Sequence, residues 1–372
     1  MANRKPNRVY FIGSGPSIAM GVPSVDELYG KILEGPEVAW SHIREYVETV
    51  FPHLEDNRLN FEELMTSMDA EGIGPEIYKF SRFGTQEFSW NRASVHSTYE
   101  DLMKRAFKVI HDQMSDLEMW AQYAQMKAPN NDSVKEEILS KRRPFEPIRK
   151  AWSEQYKKIN GGTFKEYVLT TNYDLWIEKW ASNGYTYTSI DSAKTMILKL
   201  HGSINWQRRT AGEFYEKEYF QNCEILSFEK DARVMAFPID KILGMISFAT
   251  DVHLPIIVPP MALKRYDDPI FRQMFWHASN VLLNSDELVI LGYRFSDFDF
   301  YVKKLIDYAI NSKESKIKRV FHYDNDEGAS VRFKNIIRRP ELKKKENYIF
   351  VNSDFRKMVP DFSNLGNIKP IP

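Results

Sequence analysis

The chain has 372 residues, 43% hydrophobic, 14% aromatic and 27% charged, too apolar for disorder and long enough for one large α/β domain with an insertion or for two modest domains. Lysine plus arginine and aspartate plus glutamate number 51 each, so no net field draws nucleic acid or an anionic membrane, and any polyanion site must be local. The single cysteine, Cys223, excludes a disulfide framework and a cysteine-rich zinc site, and it fits a cytoplasmic protein.

In chain order, "RVYFI" (8–12) is β-branched and aromatic and predicts a buried strand, ended by the glycines of "GSGPS". The basic "MANRKPNR" before it leads into an apolar run too short for a signal-peptide core. Pro23 and Ser24 open a helix in "SVDELYGKILEG", where Glu27 stands at capping-box spacing from Ser24. Residues 37–159 carry apolar residues at helical spacing, as in "EDLMKRAFKVIHDQM" and "DSVKEEILSKRR", and predict a large, mostly helical insertion.

Strand-type runs return after residue 160: "YVLTT" (167–171), "MILKL" (196–200), "PIIVPP" (255–260), "ELVILGY" (287–293), "KRVFHY" (318–323) and "NYIFVN" (347–352). Helical patterns stand between most of them, such as "DLWIEKWAS", "DPIFRQMFWHASNVLLN", "DFDFYVKKLIDYAINS" and "GASVRFKNIIR". Short apolar runs alternating with helices predict a parallel sheet covered on both faces, with ligands at the carboxyl ends of its strands. The apolar "ILGMISFAT" (242–250) is flanked by charge and reads as core, since no stretch approaches the roughly 18 residues of a membrane span. "RRPELKKKEN" (338–347) reads as solvated surface, and the residues after 353 as a polar, proline-bearing tail.

The loops that follow these strands hold the chemistry: "GSGPS", "NYD", "HGSINW", "GYRFSDFD" and "DND". The first does not meet the dinucleotide fingerprint, because Ile18 stands where a third glycine belongs. By itself it is either an anion cradle or a plain turn. His201 directly follows an apolar strand and suits proton transfer near neutral pH. Asn172 ends another strand, where it either holds the loop or orients a water or a substrate hydroxyl. The other seven histidines (42, 53, 96, 111, 253, 277 and 322) sit in no metal-ligand spacing. Asp324 either caps a helix or takes a ribose diol, and Trp206 and Tyr293 read as core or pocket wall.

Four of these motifs, in order over residues 8–300, resemble the sirtuins. "GSGPSIAMGVP" has the spacing of the sirtuin glycine signature, "TTNYD" is similar to the Thr-Gln-Asn-x-Asp loop, "KLHGSINW" to the His-Gly loop, and "LVILGYRFSDFD" to the later strand and serine loop. The resemblance implies a doubly wound, mostly parallel Rossmann-like domain formed by residues 1–36 and 160–372, binding NAD at the carboxyl ends of its strands. The insertion at 37–159 would serve assembly or regulation. The glycine turn would cradle the pyrophosphate, while Asn172 and His201 would flank the nicotinamide ribose.

The catalytic set is then Asn172, His201 and Asp174, with Asp174 either binding the carboxamide or ordering its loop. The cofactor-binding set is Gly13, Ser14, Gly15, Ser17, Gly21, Pro23, Thr171, Gly292, Ser296 and Asp324. Sirtuins carry a four-cysteine zinc module after the His-Gly loop, and one cysteine cannot supply it; no metal is expected. The wording of the Asn172 and His201 loops is that of a divergent bacterial branch that hydrolyses NAD in anti-phage defence. The expected function is therefore an NAD hydrolase releasing nicotinamide and ADP-ribose, controlled by homo-oligomerisation or by a separate partner such as an ATPase or a nuclease. No membrane or direct nucleic-acid contact is expected. ADP-ribosyl transfer or protein deacylation, and a non-catalytic NAD or ADP-ribose sensor, are the alternatives.

Overall fold

The computed structural model of the protein describes residues 6–33, 61–66 except 63, 80–82, 86–88, 92–114, 121–126 except 123, 129, 131–162, 164–189, 193–210, 223–228, 232–239, 255–259, 264, 266, 268–297 and 299–371. The stretch at 242–250 and much of the insertion lie outside the described residues.

The main sheet takes β1 (Asn7–Ile12), β2 (Lys165–Thr170), β3 (Tyr185–Thr186) and β4 (Thr195–Lys199) from the first part of the chain. After a small separate sheet of β5 (Trp206–Thr210), β6 (Glu224–Phe228) and β7 (Ala232–Ala236), it continues with β8 (Glu287–Leu291), β9 (Arg319–Asp324) and β10 (Tyr348–Asn352). Its order is β10-β9-β8-β1-β2-β4-β3, and every pairing in it is parallel. The central strands are buried along their whole length, as in "ELVIL" and "TMILK", because helices cover both faces of a parallel sheet and leave no polar side to alternate toward. The chain runs from β1 outward to β2 on one side and later returns to place β8 on the other. Connections that leave a strand in opposite directions open a crevice at its carboxyl end.

Helix α1 (Ser14–Ala19) is a single short stretch after the glycine turn. In α2 (Val25–Leu33) the capping box forms: the Ser24 amide donates to Glu27 Oε2 at 2.9 Å and the Glu27 amide to Ser24 Oγ at 3.3 Å. The insertion contributes α3 (Arg92–Met114), α4 (Asp132–Ser140) and α5 (Glu146–Tyr156), with a short antiparallel strand pair at Phe80–Arg82 and Gln86–Phe88 that helical spacing does not reveal. Leu102, Ala106, Phe107, Ile110 and Met114 form a buried stripe on α3 at helical spacing. They belong to the same hydrophobic cluster as the sheet. On α5, Arg149 donates from Nε to the Met20 carbonyl at 3.1 Å and from Nη2 to the Gln113 carbonyl at 2.8 Å, tying the ends of α1 and α3 together.

Two sequence expectations are corrected. "PIIVPP" is not a strand of the sheet. Residues 255–259 run beside the His201–Trp206 loop with a single antiparallel bridge, Gly202 to Ile257, since Pro255 and Pro259 lack the donors that a central strand requires. The residues after 353 are not a polar tail either. Strands β11 (Met358–Pro360) and β12 (Ile368–Pro370) form a hairpin, and Phe355, Val359 and Phe362 enter the core. The apolar positions are too widely spaced for a periodic signal, yet the Gly366 amide donates to Tyr323 Oη at 2.7 Å and fixes the hairpin on β9.

Candidate functional site

In the register of the sheet, Ile12 lies beside Thr170 and Leu291, Thr170 beside Lys199, and Asp324 beside Asn352. The five polar loops therefore leave one rim. A cavity of about 560 Å³ opens there, within the roughly 300–1,000 Å³ usual for small-molecule sites. It is lined by Ser14, Gly15, Ser17 and Pro23 from the glycine turn and α1, by Thr171, Asn172 and Asp174, by His201, by Gly292 and Ser296, and by Asp324. Of the predicted residues, Gly13 and Gly21 are not part of its wall. Gly13 meets it through its carbonyl, described below, and Gly21, at φ +100°, packs beneath against Phe145.

The glycines of the turn have a packing reason that the sequence does not disclose. The Gly13 amide donates to the Leu291 carbonyl at 2.8 Å and the Gly15 amide to the Gly292 carbonyl at 3.1 Å. A Cβ on Gly13 would stand 2.4 Å from the Gly292 oxygen, and one on Gly292 would stand 2.7 Å from the Gly15 Cα. Two loops on either side of the crevice thus touch backbone to backbone, which only glycine permits. The same bonds spend two of the amides that an anion cradle would offer, and of Gly13, Ser14 and Gly15 only Ser14 keeps its amide out of them. Phe355 lies over this contact, its ring 2.9 Å from where a Cβ on Gly15 would be. Gly292→Ala, at φ +58°, is expected to cost about 2–5 kcal/mol from left-handed backbone and overpacking together. Gly30→Ala, in open space on α2, should be neutral or slightly stabilising; chemical denaturation of the two variants checks the contrast.

Asn172 is 8% exposed and both protons of its amide are spoken for. Nδ2 donates to the Gly13 carbonyl at 2.8 Å and to Ser17 Oγ at 3.0 Å. Ser17 in turn donates to Asp174 Oδ2 at 2.7 Å, and Asp174 Oδ1 accepts the Trp176 amide at 3.2 Å. Asp174 thus orders the loop into α6 (Trp176–Trp180), and Ser17 links it to Asn172. With Nδ2 committed, the group that Asn172, a residue of the cavity wall, has left to offer is Oδ1, an acceptor for a water or a sugar hydroxyl. Beneath the loop, the fully buried Lys199 ammonium donates to the Asn172 carbonyl at 3.2 Å and to the Asp174 carbonyl, and pairs with Glu178 Oε1 at 3.1 Å.

His201 is 4% exposed, in a loop held by the bonds of the Val258 amide to its carbonyl at 2.8 Å and the Ile204 amide to the Tyr173 carbonyl at 3.1 Å. The ring's hydrogen bond to the Thr171 backbone falls to Nδ1, because Nε2 is buried and makes none. Nε2 is therefore the bare, basic nitrogen. Burial pushes the imidazole down to about 4, Asp299 pulling upward and Lys264 further downward, so the ring is neutral at pH 7.

Asp324, 2% exposed, accepts the Asp326 amide on Oδ1 at 2.8 Å, and burial raises its carboxyl above the usual range. It buttresses a turn and lines the cavity, while the cap of the helix Glu327–Ile336 is Asp326, whose Oδ1 accepts the Gly328 amide at 2.8 Å. Tyr293 is pocket wall, and Trp206 is fully buried edge-on to Tyr187.

Sequence reasoning missed Glu62, Lys264 and Asp299, all of which line the cavity, and the Asp354–Arg356 turn that closes one side of it. Asp299 is the last residue of "GYRFSDFD", a loop already singled out, and could have been found there. Glu62 and Lys264 follow no strand and carry no signal of their own. Among the described residues, no group of three or more His, Cys, Asp or Glu side chains could hold a metal ion. No helix among them is long and apolar enough to cross a membrane.

A parallel α/β sheet with a cavity at its switch point defines the class of doubly wound domains. Residues 166–351 match the family model described as SIR2-like domain. That span is half of the chain, and the chain belongs to the SIR2-like family. It contains the Asn172, His201 and Gly292 loops but not the glycine turn, the insertion or the last hairpin. Among solved structures, one described as the structural basis for the mechanism and regulation of Sir2 enzymes is 10% identical, with 94% of this chain and 88% of that one covered at a TM-score of 0.38. One concerned with sirtuin substrate affinity is 11% identical, with coverage of 94% and 89% at 0.37. Sir2Tm bound to a propionylated peptide is 9% identical, with 94% and 89% covered at 0.35. No curated protein matches the chain.

Proposed function

We propose that the protein hydrolyses NAD+ to nicotinamide and ADP-ribose. The observation that carries this is the bare His201 Nε2 and the acceptor Asn172 Oδ1 on one buried cavity. In an N-glycoside whose leaving group is already cationic, the protein has mainly to orient a nucleophile and accept its proton. Asn172 Oδ1 orients the attacking water or a ribose hydroxyl, and His201 Nε2 takes the proton. Ser14, Ser296 and Asp324 are the polar groups placed to hold phosphate and ribose. The Ser17 hydroxyl is committed to Asp174 and Asn172 and shapes the site from behind.

The proposed setting is a cytoplasmic effector of bacterial anti-phage defence that depletes NAD when released by self-assembly or by a partner protein. The SIR2-like family match and the wording of the two loops support it.

The test is chromatographic: purified protein is incubated with NAD+, alone and at concentrations that favour assembly, and free nicotinamide is followed. Release requiring no acceptor supports hydrolysis, and release only with an acylated peptide or acceptor protein would favour transfer. Binding of NAD+ with no release under any condition would sink the proposal. Because the base must be neutral and burial holds His201 near 4, kcat/KM is expected to stay level from pH 8 to about 5. It then falls as the pH drops through about 4, rather than through the roughly 6.5 of a free histidine. A pH–rate profile bending near 6.5 would contradict that environment.

A further inference from the structure

The helix Phe300–Asn311 begins after Asp299, which stands at its N-cap with φ −97° and ψ 47° but makes no capping bond with its side chain. Aspartate at this position ordinarily accepts an amide of the first turn. Here the carboxylate turns into the cavity instead. Oδ2 accepts the Tyr293 hydroxyl at 3.0 Å, Oδ1 pairs with Lys264 Nζ at 2.5 Å, and Oδ1 lies 3.6 Å from His201 Nε2. Lys264 is shared with Glu62 of the insertion, at 3.5 Å from Oε1. The loop that carries Asp299 is held in unusual backbone: Gly292 at φ +58° and Phe295 at φ +56°, the latter fixed by ring contacts with Tyr293 at 4.8 Å and Phe333 at 5.0 Å. A non-glycine residue in that region persists only where packing over-determines it.

We propose that Asp299 is a positioning residue for His201, stabilising the imidazolium formed when Nε2 takes a proton, and that Lys264, shared with Glu62, opposes it. The inference rests on the hydrolase reading for its kinetic consequence but not for its electrostatic one. In the step it serves, the oxygen of water bonds to the ribose C1′ and the C1′–N bond breaks with its electron pair leaving on nicotinamide. The water proton passes to His201 Nε2 and then to solvent, so that NAD+ and water give nicotinamide, ADP-ribose and a proton. At 3.6 Å the carboxylate faces the nitrogen that becomes charged, and because both side chains are shielded from solvent that attraction is stronger than between exposed groups. Lys264 places a positive charge on the same oxygen and diminishes it. Among the described residues, the other ionisable groups around the pair are Tyr266, whose ring lies 6.0 Å from that of His201, Tyr173 at 6.4 Å, Tyr293 on Asp299, and Asp26, which acts on Glu62.

Labelling the imidazole carbons and following the His201 titration by NMR tests the electrostatic part without any turnover. Asp299→Asn should move the His201 midpoint down and Lys264→Met should move it up, in protein whose other histidine signals are unchanged. In the nicotinamide assay, Asp299→Asn should lose kcat by on the order of 10- to 100-fold with KM for NAD+ within about twofold, and Asp299→Glu should recover part of the loss. Opposite midpoint shifts without any wild-type release would leave the coupling standing and overturn the hydrolase reading. Midpoints that do not move in either variant, or a loss confined to KM, would overturn the role of Asp299. If Asp299→Asn fails to fold, the Lys264→Met and Asp299→Glu titrations decide alone: an unmoved midpoint in both is refutation.

Discussion

His201→Ala and Asn172→Ala are expected to abolish nicotinamide release for different reasons, and stability measurements should tell the two apart. Removing the imidazole takes away the proton acceptor, for a loss on the order of 10²- to 10⁴-fold in kcat. The fold should tolerate the change better than the loss of Asn172, because Nε2 makes no hydrogen bond, only the Thr171 backbone loses a partner, and the loop is held by its backbone. Removing the Asn172 amide deletes the Oδ1 acceptor and also strips donors from the Gly13 carbonyl and Ser17 Oγ. Each buried acceptor left bare costs about 1–3 kcal/mol, so Asn172→Ala should be inactive and visibly destabilised in urea. Asn172→Asp, isosteric but without donors, should share the destabilisation. Activity in His201→Ala above a hundredth of wild type would show that another group carries the proton.

The second large effect is predicted at Lys199, which touches no substrate. Lys199→Met is expected to lower stability by about 3–5 kcal/mol, because it leaves the buried Glu178 carboxylate without its counter-charge. Burial already raises the Glu178 carboxyl above its usual range, with Lys199 as the chief opposing influence. Adding Glu178→Gln should restore part of the lost stability, since it removes the unpaired charge and the amide still accepts the Tyr187 hydroxyl, 3.0 Å from Oε1, while the two carbonyls held by Lys199 stay bare. Activity should not return with it. The ammonium also holds the carbonyls of Asn172 and Asp174, and a methionine there gives the catalytic loop nothing to rest on. A double variant as active as wild type would show that the loop is set by its own hydrogen bonds.

How far these features could be read from the sequence depends on what kind of signal each one leaves. β1, β2, β4, β8 and β9 announce themselves because a strand buried on both faces must be apolar throughout, and the half-buried edge strand β10 does so through its run of Ile349, Phe350 and Val351. The capping box at Ser24 and Glu27 is equally local. Asn172 and His201 were legible because they sit directly after such strands, and the parallel register then carries every strand end to the same rim. What escaped is tertiary. The two-residue edge strand at Tyr185–Thr186 and the short hairpin that ends in Ile368–Pro370 are too brief to leave a period, and the placement of Glu62 beside Lys264 joins residues 202 apart in sequence. Gly13 and Gly15 were seen but half understood. A tight turn and an anion cradle need the same residue type as a backbone contact with Gly292, and only the folded chain separates the three.

Phe355 bears on when activity can arise as well as where. It rests on Gly15 and Gly292 from one side and on Trp152 at 5.4 Å from the other, and the turn that holds it forms part of the cavity wall. The strands that carry Asn172, His201 and Asp324 are all synthesised earlier, so a growing chain can assemble most of its sheet while its cavity still lacks that wall. For a protein proposed to consume NAD, the cavity is expected to stay incomplete until residues 353–371 have been made and docked. Translation itself then acts as a safety catch.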